Sequence, residues 1–163
     1  MNNVDVRLAL DACRDEIDRI DDLINTLGKT SSAVPFLSRY AVIRACGSIE
    51  QAFKGSIADF CVKRGKKQIK RFINKKVRES STNPSFDKIC GMLNDFDESW
   101  NKTFKASLKG TLGHEKLKSS LQSLVDARNE FAHGGSPSVT IGDVKVYFSD
   151  ARVIIEALDA VVV

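Results

Sequence analysis

Apolar residues recur at alternating four- and three-residue steps from the start of the chain: Val6, Leu10, Cys13, Ile17, Ile20, Ile24 and Leu27. That stripe predicts a long amphipathic helix with one buried face, of the kind seen in coiled coils. Gly28 follows as its C-cap, and residues 29–32 read as a polar loop. Pro35 suits the first turn of a second helix. Its apolar positions Leu37, Tyr40, Ile43, Cys46, Ile49, Phe53, Ile57 and Phe60 keep three- or four-residue spacing to about Lys63, and Gly65 interrupts it. Ile69, Ile73 and Val77 then form a thinner stripe in a third amphipathic helix. A break over residues 80–85, SSTNPS, leads into Phe86, Ile89, Leu93, Phe96, Trp100, Phe104 and Leu108, which read as one bent helix or two short ones. A loop over residues 109–114 precedes a helix with Leu117, Leu121, Leu124 and Phe131 that stops at Gly134 and Gly135. Residues 136–140 read as a turn with some extended character. The last helix runs from about Asp143 to the end, with a break near Ser149, and buries Val153, Ile154, Leu158 and Val161.

Elements of these lengths predict an all-α protein, an up-and-down bundle of five to six helices forming one domain over residues 1–163. Composition agrees. Hydrophobic residues at 42% and charged residues at 28% exclude wholesale disorder, and three prolines with ten glycines are too few for a turn-dense β-sandwich. No run of about eighteen apolar residues is present, so no membrane-spanning helix is expected. The N-terminal segment carries acids where a signal peptide needs bases, which predicts a cytoplasmic protein. Cys13, Cys46, Cys61 and Cys90 form no CxxC pair, and His114 and His133 are the two histidines. Reduced thiols packed as small apolar residues are expected, with no metal site and no cofactor, since glycine-rich and zinc-binding motifs are missing.

Charge is distributed unevenly. Residues 1–30 hold seven acids and four bases, a net of −3, whereas residues 63–78 hold nine bases and no acid. The nine are Lys63, Arg64, Lys66, Lys67, Lys70, Arg71, Lys75, Lys76 and Arg78. Such a patch is an electrostatic footprint for a polyanion, and RNA contact is assigned to these nine residues. A solvated helix face that aids solubility gives the same composition. A basic amphipathic helix also suits an anionic membrane surface, but the apolar stripe is thin and lacks Trp. Phe72 is the aromatic residue within the segment, so phosphate contact outweighs base stacking.

The remaining chemistry concentrates in ARNEFAHGG, residues 127–135. Asn129 and His133 are four residues apart and share a helix face, with Arg128 beside them. Phe131 and Ala132 face the bundle in this reading, and the glycine pair reads as a mobile loop. Arg can clamp a phosphate in a bidentate fork, and His can move a proton near neutral pH. The bare spacing is weak, because a capping His and a surface Arg at a helix end would look alike. The whole string says more. ARNEFAHGG resembles the RNxxxH signature of HEPN domains, as Arg128-Asn129-Glu130-Phe131-Ala132-His133, and it closes the penultimate long helix as it does in that family. Residues 40–50, YAVIRACGSIE, are similar to the second helix of the RiboL-PSP-type HEPN group.

The resemblance implies a helical bundle and a metal-independent endoribonuclease that uses the ribose 2′-hydroxyl as nucleophile and leaves a 2′,3′-cyclic phosphate. It implies a homodimer whose two motifs meet at one cleft, and a toxin–antitoxin or phage-defence setting with an antitoxin or defence-system protein as partner. Carried over by position, Arg128 holds the scissile phosphate, His133 acts as general base or acid, and Asn129 orients the phosphate or the imidazole. Glu130 receives no role. His114, in the loop upstream, is too far along the chain to supply a second proton-transfer group, so pairing brings in a second His133. Tyr40 and the cysteines are assigned to the core, and Glu50 to the cleft, the solvent or a capping role. The competing expectation is a non-catalytic HEPN module that binds nucleic acid or nucleotide and acts through a protein partner.

Overall fold

The computed structural model describes residues 1–63 and 65–162, and no strand occurs among them. In chain order the helices are α1 (Val4–Leu27), α2 (Val34–Lys63), α3 (Lys67–Ile73), α4 (Phe86–Phe96), α5 (Glu98–Lys109), α6 (His114–Ala132) and α7 (Ile141–Val161), with a π-helical turn, Asn74–Arg78, continuing α3. The all-α helical architecture is as expected, with seven α-helices among the described residues rather than five or six. Part of the excess comes from residues 86–109. Asp97 adopts an extended conformation there, ends α4 and caps α5 by accepting the Ser99 N–H at 2.7 Å. The two short helices fold back on each other, with Phe86 and Phe104 stacked 5.7 Å apart.

The stripe on α1 is buried from Val6 to Ile24 as predicted, whereas Leu27 is exposed because the helix ends there and Gly28 turns the chain away. α2 departs further from expectation. It runs through the middle of the bundle, against α1, α6, α7 and the basic segment, and is buried almost all round. Cys46, Ile49, Phe53 and Ile57 are buried as predicted, but Tyr40, Ile43 and Phe60 are exposed. Four successive three-residue steps from Leu37 to Ile49 wind the stripe about two-thirds of the way round a helix that repeats every 3.6 residues. The tight contacts are made instead by small residues: Ala41, Ala45, Ser48, Ala52, Gly55 and Ala58.

Ile73 and Val77 dock the basic segment onto the end of α2 and onto Met92 and Phe96 of α4, while Ile69 remains exposed beside the Gly65 backbone. α7 starts two residues earlier than expected. Thr140 and Asp143 form a reciprocal capping box, with the Thr140 N–H donating to Asp143 Oδ2 at 2.9 Å. The helix then runs unbroken past Ser149, which points outward, and Val153 is on its exposed side. Cys13, Cys46 and Cys90 are buried, Cys61 is half-buried, and all four thiols are free. No helix among the described residues is long and apolar enough to cross a membrane.

Candidate active site at the end of α6

The last turn of α6 is closed by its glycine pair. Gly134, at φ 84°, donates its N–H to the Phe131 carbonyl, and Gly135 donates to the Glu130 carbonyl at 2.9 Å. This is the Schellman arrangement, which satisfies the carbonyls a helix end leaves orphaned. Both glycines are required: Gly134 for its left-handed backbone, and Gly135 because a Cβ would approach Glu130 Cγ to 2.6 Å. The pair is therefore a hydrogen-bonded cap rather than the loose loop expected. His133 is the C-cap residue, its N–H donating to the Asn129 carbonyl at 3.0 Å, and its side chain is solvent-exposed. Phe131 is half-buried, but Ala132 is exposed rather than turned to the bundle.

Arg128, Asn129 and His133 line one cavity of about 370 Å³, together with Ser81, Thr82, Asn83 and Lys88. Arg128 Nη1 donates to Asn129 Oδ1 at 3.2 Å and to Asn83 Oδ1 at 3.3 Å. Asn83 Nδ2 completes the triangle by donating to Asn129 Oδ1 at 3.1 Å. The motif residues on α6 thus form one wall, and the linker between the π turn and α4 forms the other. Sequence reasoning missed that second wall. Its one local signal is Asn-Pro: Pro84 biases Asn83 to an extended backbone, which lets the linker cross the end of α6 instead of coiling.

Beneath the cavity, α2 supplies an ionic anchor. The Lys54 ammonium, on a side chain only 2% exposed, binds the Glu50 carboxylate and the Ser80 carbonyl. This answers the open question over Glu50: it holds the buried lysine that ties α2 to the start of the linker. Burial pushes the Cys46 thiol up to about 12, with Arg128 opposing the rise and Glu50 adding to it.

The family model of RiboL-PSP-HEPN matches residues 9–163. The chain belongs to this family. No curated protein and no solved structure matches it significantly. As a HEPN domain it carries a fold commonly used for nuclease and RNA-binding work. Lys63, Lys66, Lys67, Lys70, Arg71, Lys75 and Lys76 are exposed, and Arg64 lies outside the described residues. Arg78 differs from its neighbours, because its guanidinium binds the Asp59 carboxylate of α2 and it is half-buried. The segment runs directly into the linker that lines the cavity, with Arg78 three residues before Ser81. Tyr40 is exposed rather than in the core, and its hydroxyl donates to Glu16. His114 is the first residue of α6 rather than a loop residue, its Nε2 2.9 Å from Glu115 Oε1, at the opposite end of the helix from the cavity. Among the described residues no group of three or more His, Cys, Asp or Glu is placed to hold a metal ion.

Proposed function

We propose that this protein is a HEPN endoribonuclease that cleaves RNA without a metal ion, with Arg128, Asn129 and His133 as its catalytic residues. The observation that carries the reading is the convergence of all three on one open, polar cavity, with the imidazole exposed rather than packed in hydrocarbon. His133 removes the proton of the ribose 2′-hydroxyl, whose oxygen attacks the adjacent phosphorus. The bond to the 5′-oxygen breaks, leaving a 2′,3′-cyclic phosphate, and the departing oxygen takes a proton from an acid. Arg128 stabilises the charge that develops on the phosphoryl oxygens. Lys66, Lys67, Lys70, Arg71, Lys75 and Lys76, with Lys63 beside them, steer the RNA backbone towards the linker wall.

One imidazole cannot serve as base and acid in the same step, so the proposal includes a homodimer in which the partner subunit's His133 supplies the proton. The face best suited to pairing is the exposed first part of α2, which meets α6 at Phe131. Phe36, 69% exposed, lies on it with Tyr40 and Ile43. The Arg39 guanidinium sits over both the Phe36 ring and the Phe131 ring of α6, at 5.8 and 6.0 Å. The family's toxin–antitoxin and defence settings supply the proposed regulatory partner.

The test is cleavage of RNA by the purified chain in EDTA, comparing wild type with Arg128→Ala and His133→Ala, with analysis of the product ends and sedimentation of the protein. Cyclic-phosphate ends from a dimeric wild type, and loss of about a thousand-fold or more in rate in both variants, are expected. Cleavage retained by His133→Ala removes the catalytic assignment. Salt-dependent RNA binding with no turnover would assign the protein to the non-catalytic HEPN modules.

A further inference from the structure

The triangle of Arg128, Asn129 and Asn83 has a defined polarity. The Arg128 guanidinium carries only donors, so both amides must turn their oxygens towards it, as they do at 3.2 and 3.3 Å. Asn83 then gives its own N–H to the same Asn129 oxygen at 3.1 Å. Asn129 Oδ1 is thereby engaged by two donors, while Asn129 Nδ2 has no partner among the described residues. The other side chains on the cavity wall, Lys88, Ser81 and Thr82, can also donate.

We propose that Asn83 is a positioning residue for the phosphate: as the second donor to Asn129 Oδ1 beside Arg128, it fixes the Asn129 amide with oxygen inward and nitrogen towards the cavity, so that the cavity presents donors to a phosphodiester. A free Asn129 amide could turn its oxygen to the substrate, setting a carbonyl lone pair against a phosphoryl oxygen. The linker that carries Asn83 is itself held. The buried Lys54 binds the Ser80 carbonyl at one end, and Pro84 is buried at the other. The catalytic wall on α6 therefore depends on a residue 46 positions away in sequence, delivered by a strap anchored to α2. Pre-organisation of this kind matters because a donor misplaced by about 1 Å can cost roughly a hundred-fold in rate.

The inference rests on reading the cavity as a phosphate site, and its test separates the two. In the full chain, the side-chain amide resonances of Asn129 (assigned with Asn129→Ala) are followed by NMR while inorganic phosphate is added, in wild type, Asn83→Ala and the isosteric Asn83→Asp. Single-turnover RNA cleavage and RNA affinity are measured on the same proteins. The wild-type Asn129 amide is expected to shift with phosphate. Asn83→Ala is expected to lose most of that response and about 30-fold in cleavage rate, with RNA affinity changed less than about three-fold. Asn83→Asp preserves volume but deletes the N–H given to Asn129 Oδ1 and sets an acceptor carboxylate on the wall, and is expected to abolish the response while the protein melts as wild type does. A full amide response and wild-type cleavage in Asn83→Ala overturn the proposal. A phosphate response that depends on Asn83 in a wild type that does not cut RNA upholds the positioning role and overturns the nuclease.

Discussion

Helix α1 and the segment from Lys66 to Arg78 are both densely charged, yet their charges end in different places. Four of the seven acids of α1 point into the bundle's seams, while Asp5, Asp15 and Asp22 are exposed. Asp11 pairs with Arg152 of α7 at 2.6 Å, Glu16 with Arg44 of α2 at 2.8 Å, and Asp18 and Asp21 with Lys145 of α7 at 2.9 and 2.8 Å. The cations of the basic segment face water. Among the described residues Arg78 reaches a carboxylate, Asp59, whereas Lys66, Lys67, Lys70, Arg71, Lys75 and Lys76 take part in no ion pair. Charge density alone therefore does not mark a binding surface. What distinguishes the two regions is whether the folded chain already supplies the counter-charge, and an uncompensated patch is the kind that attracts a polyanion.

The comparison breaks most visibly if the wrong region controls RNA affinity. Replacing Lys66, Lys67, Lys70 and Arg71 by Glu is expected to weaken binding to single-stranded RNA about a thousand-fold near 0.1 M salt, with little change in melting temperature. In the wild type, log K against log salt should fall with a slope of about −0.7 per phosphate contact, and each Lys→Gln change should flatten it by about that amount. Filter binding across a salt series reads both; a slope unaffected by these changes would show that the segment is only a solvated face.

Lys54 is the cation for which folding supplies everything. Lys54→Met leaves the Glu50 carboxylate and the Ser80 carbonyl without their partner, and urea unfolding is expected to show a loss of about 3 kcal/mol. Lys145→Met should cost only about 1 kcal/mol, because the residue is 40% exposed and its pairs are partly solvated, and should leave RNA affinity untouched.

The smallest effect is on acid stability. The Arg152 hydrogen bond holds the Asp11 carboxyl below the ordinary range, and the Tyr40 hydroxyl, followed by Arg44, does the same for Glu16. Both groups bind protons more weakly when folded, so their contribution is present above about pH 4 and is lost as pH falls through the depressed values. Melting temperature should therefore drop on acidification below about pH 4, and drop less in Arg152→Met than in wild type.

The motif on α6 was legible because its geometry is local: Arg128, Asn129 and His133 lie within one and a half turns, and the glycines that end the helix follow at once. α1 was legible for a similar reason, since alternating four- and three-residue steps keep Val6 to Ile24 on one face. α2 was misread where a central helix packs through Ala, Ser and Gly, residues that a hydrophobic stripe does not count. Lys54 reads as a surface residue by type, and nothing near it in the chain announces the carbonyl it binds. Asn83 was invisible for the same reason. Its role exists only once the linker has crossed α6, and no helical period connects it to the residues it holds.

The thiol behind Arg128 has a further consequence. A cation nearby would usually sharpen a cysteine into a reactive thiolate, but burial has pushed Cys46 up to about 12. Peroxides and alkylating agents attack the ionised sulfur, so this group stays inert where a solvent-facing cysteine would be consumed. The packing beneath the cavity is thus shielded from thiol-directed reagents, and chemical labels applied to the native protein should find the half-buried Cys61 first.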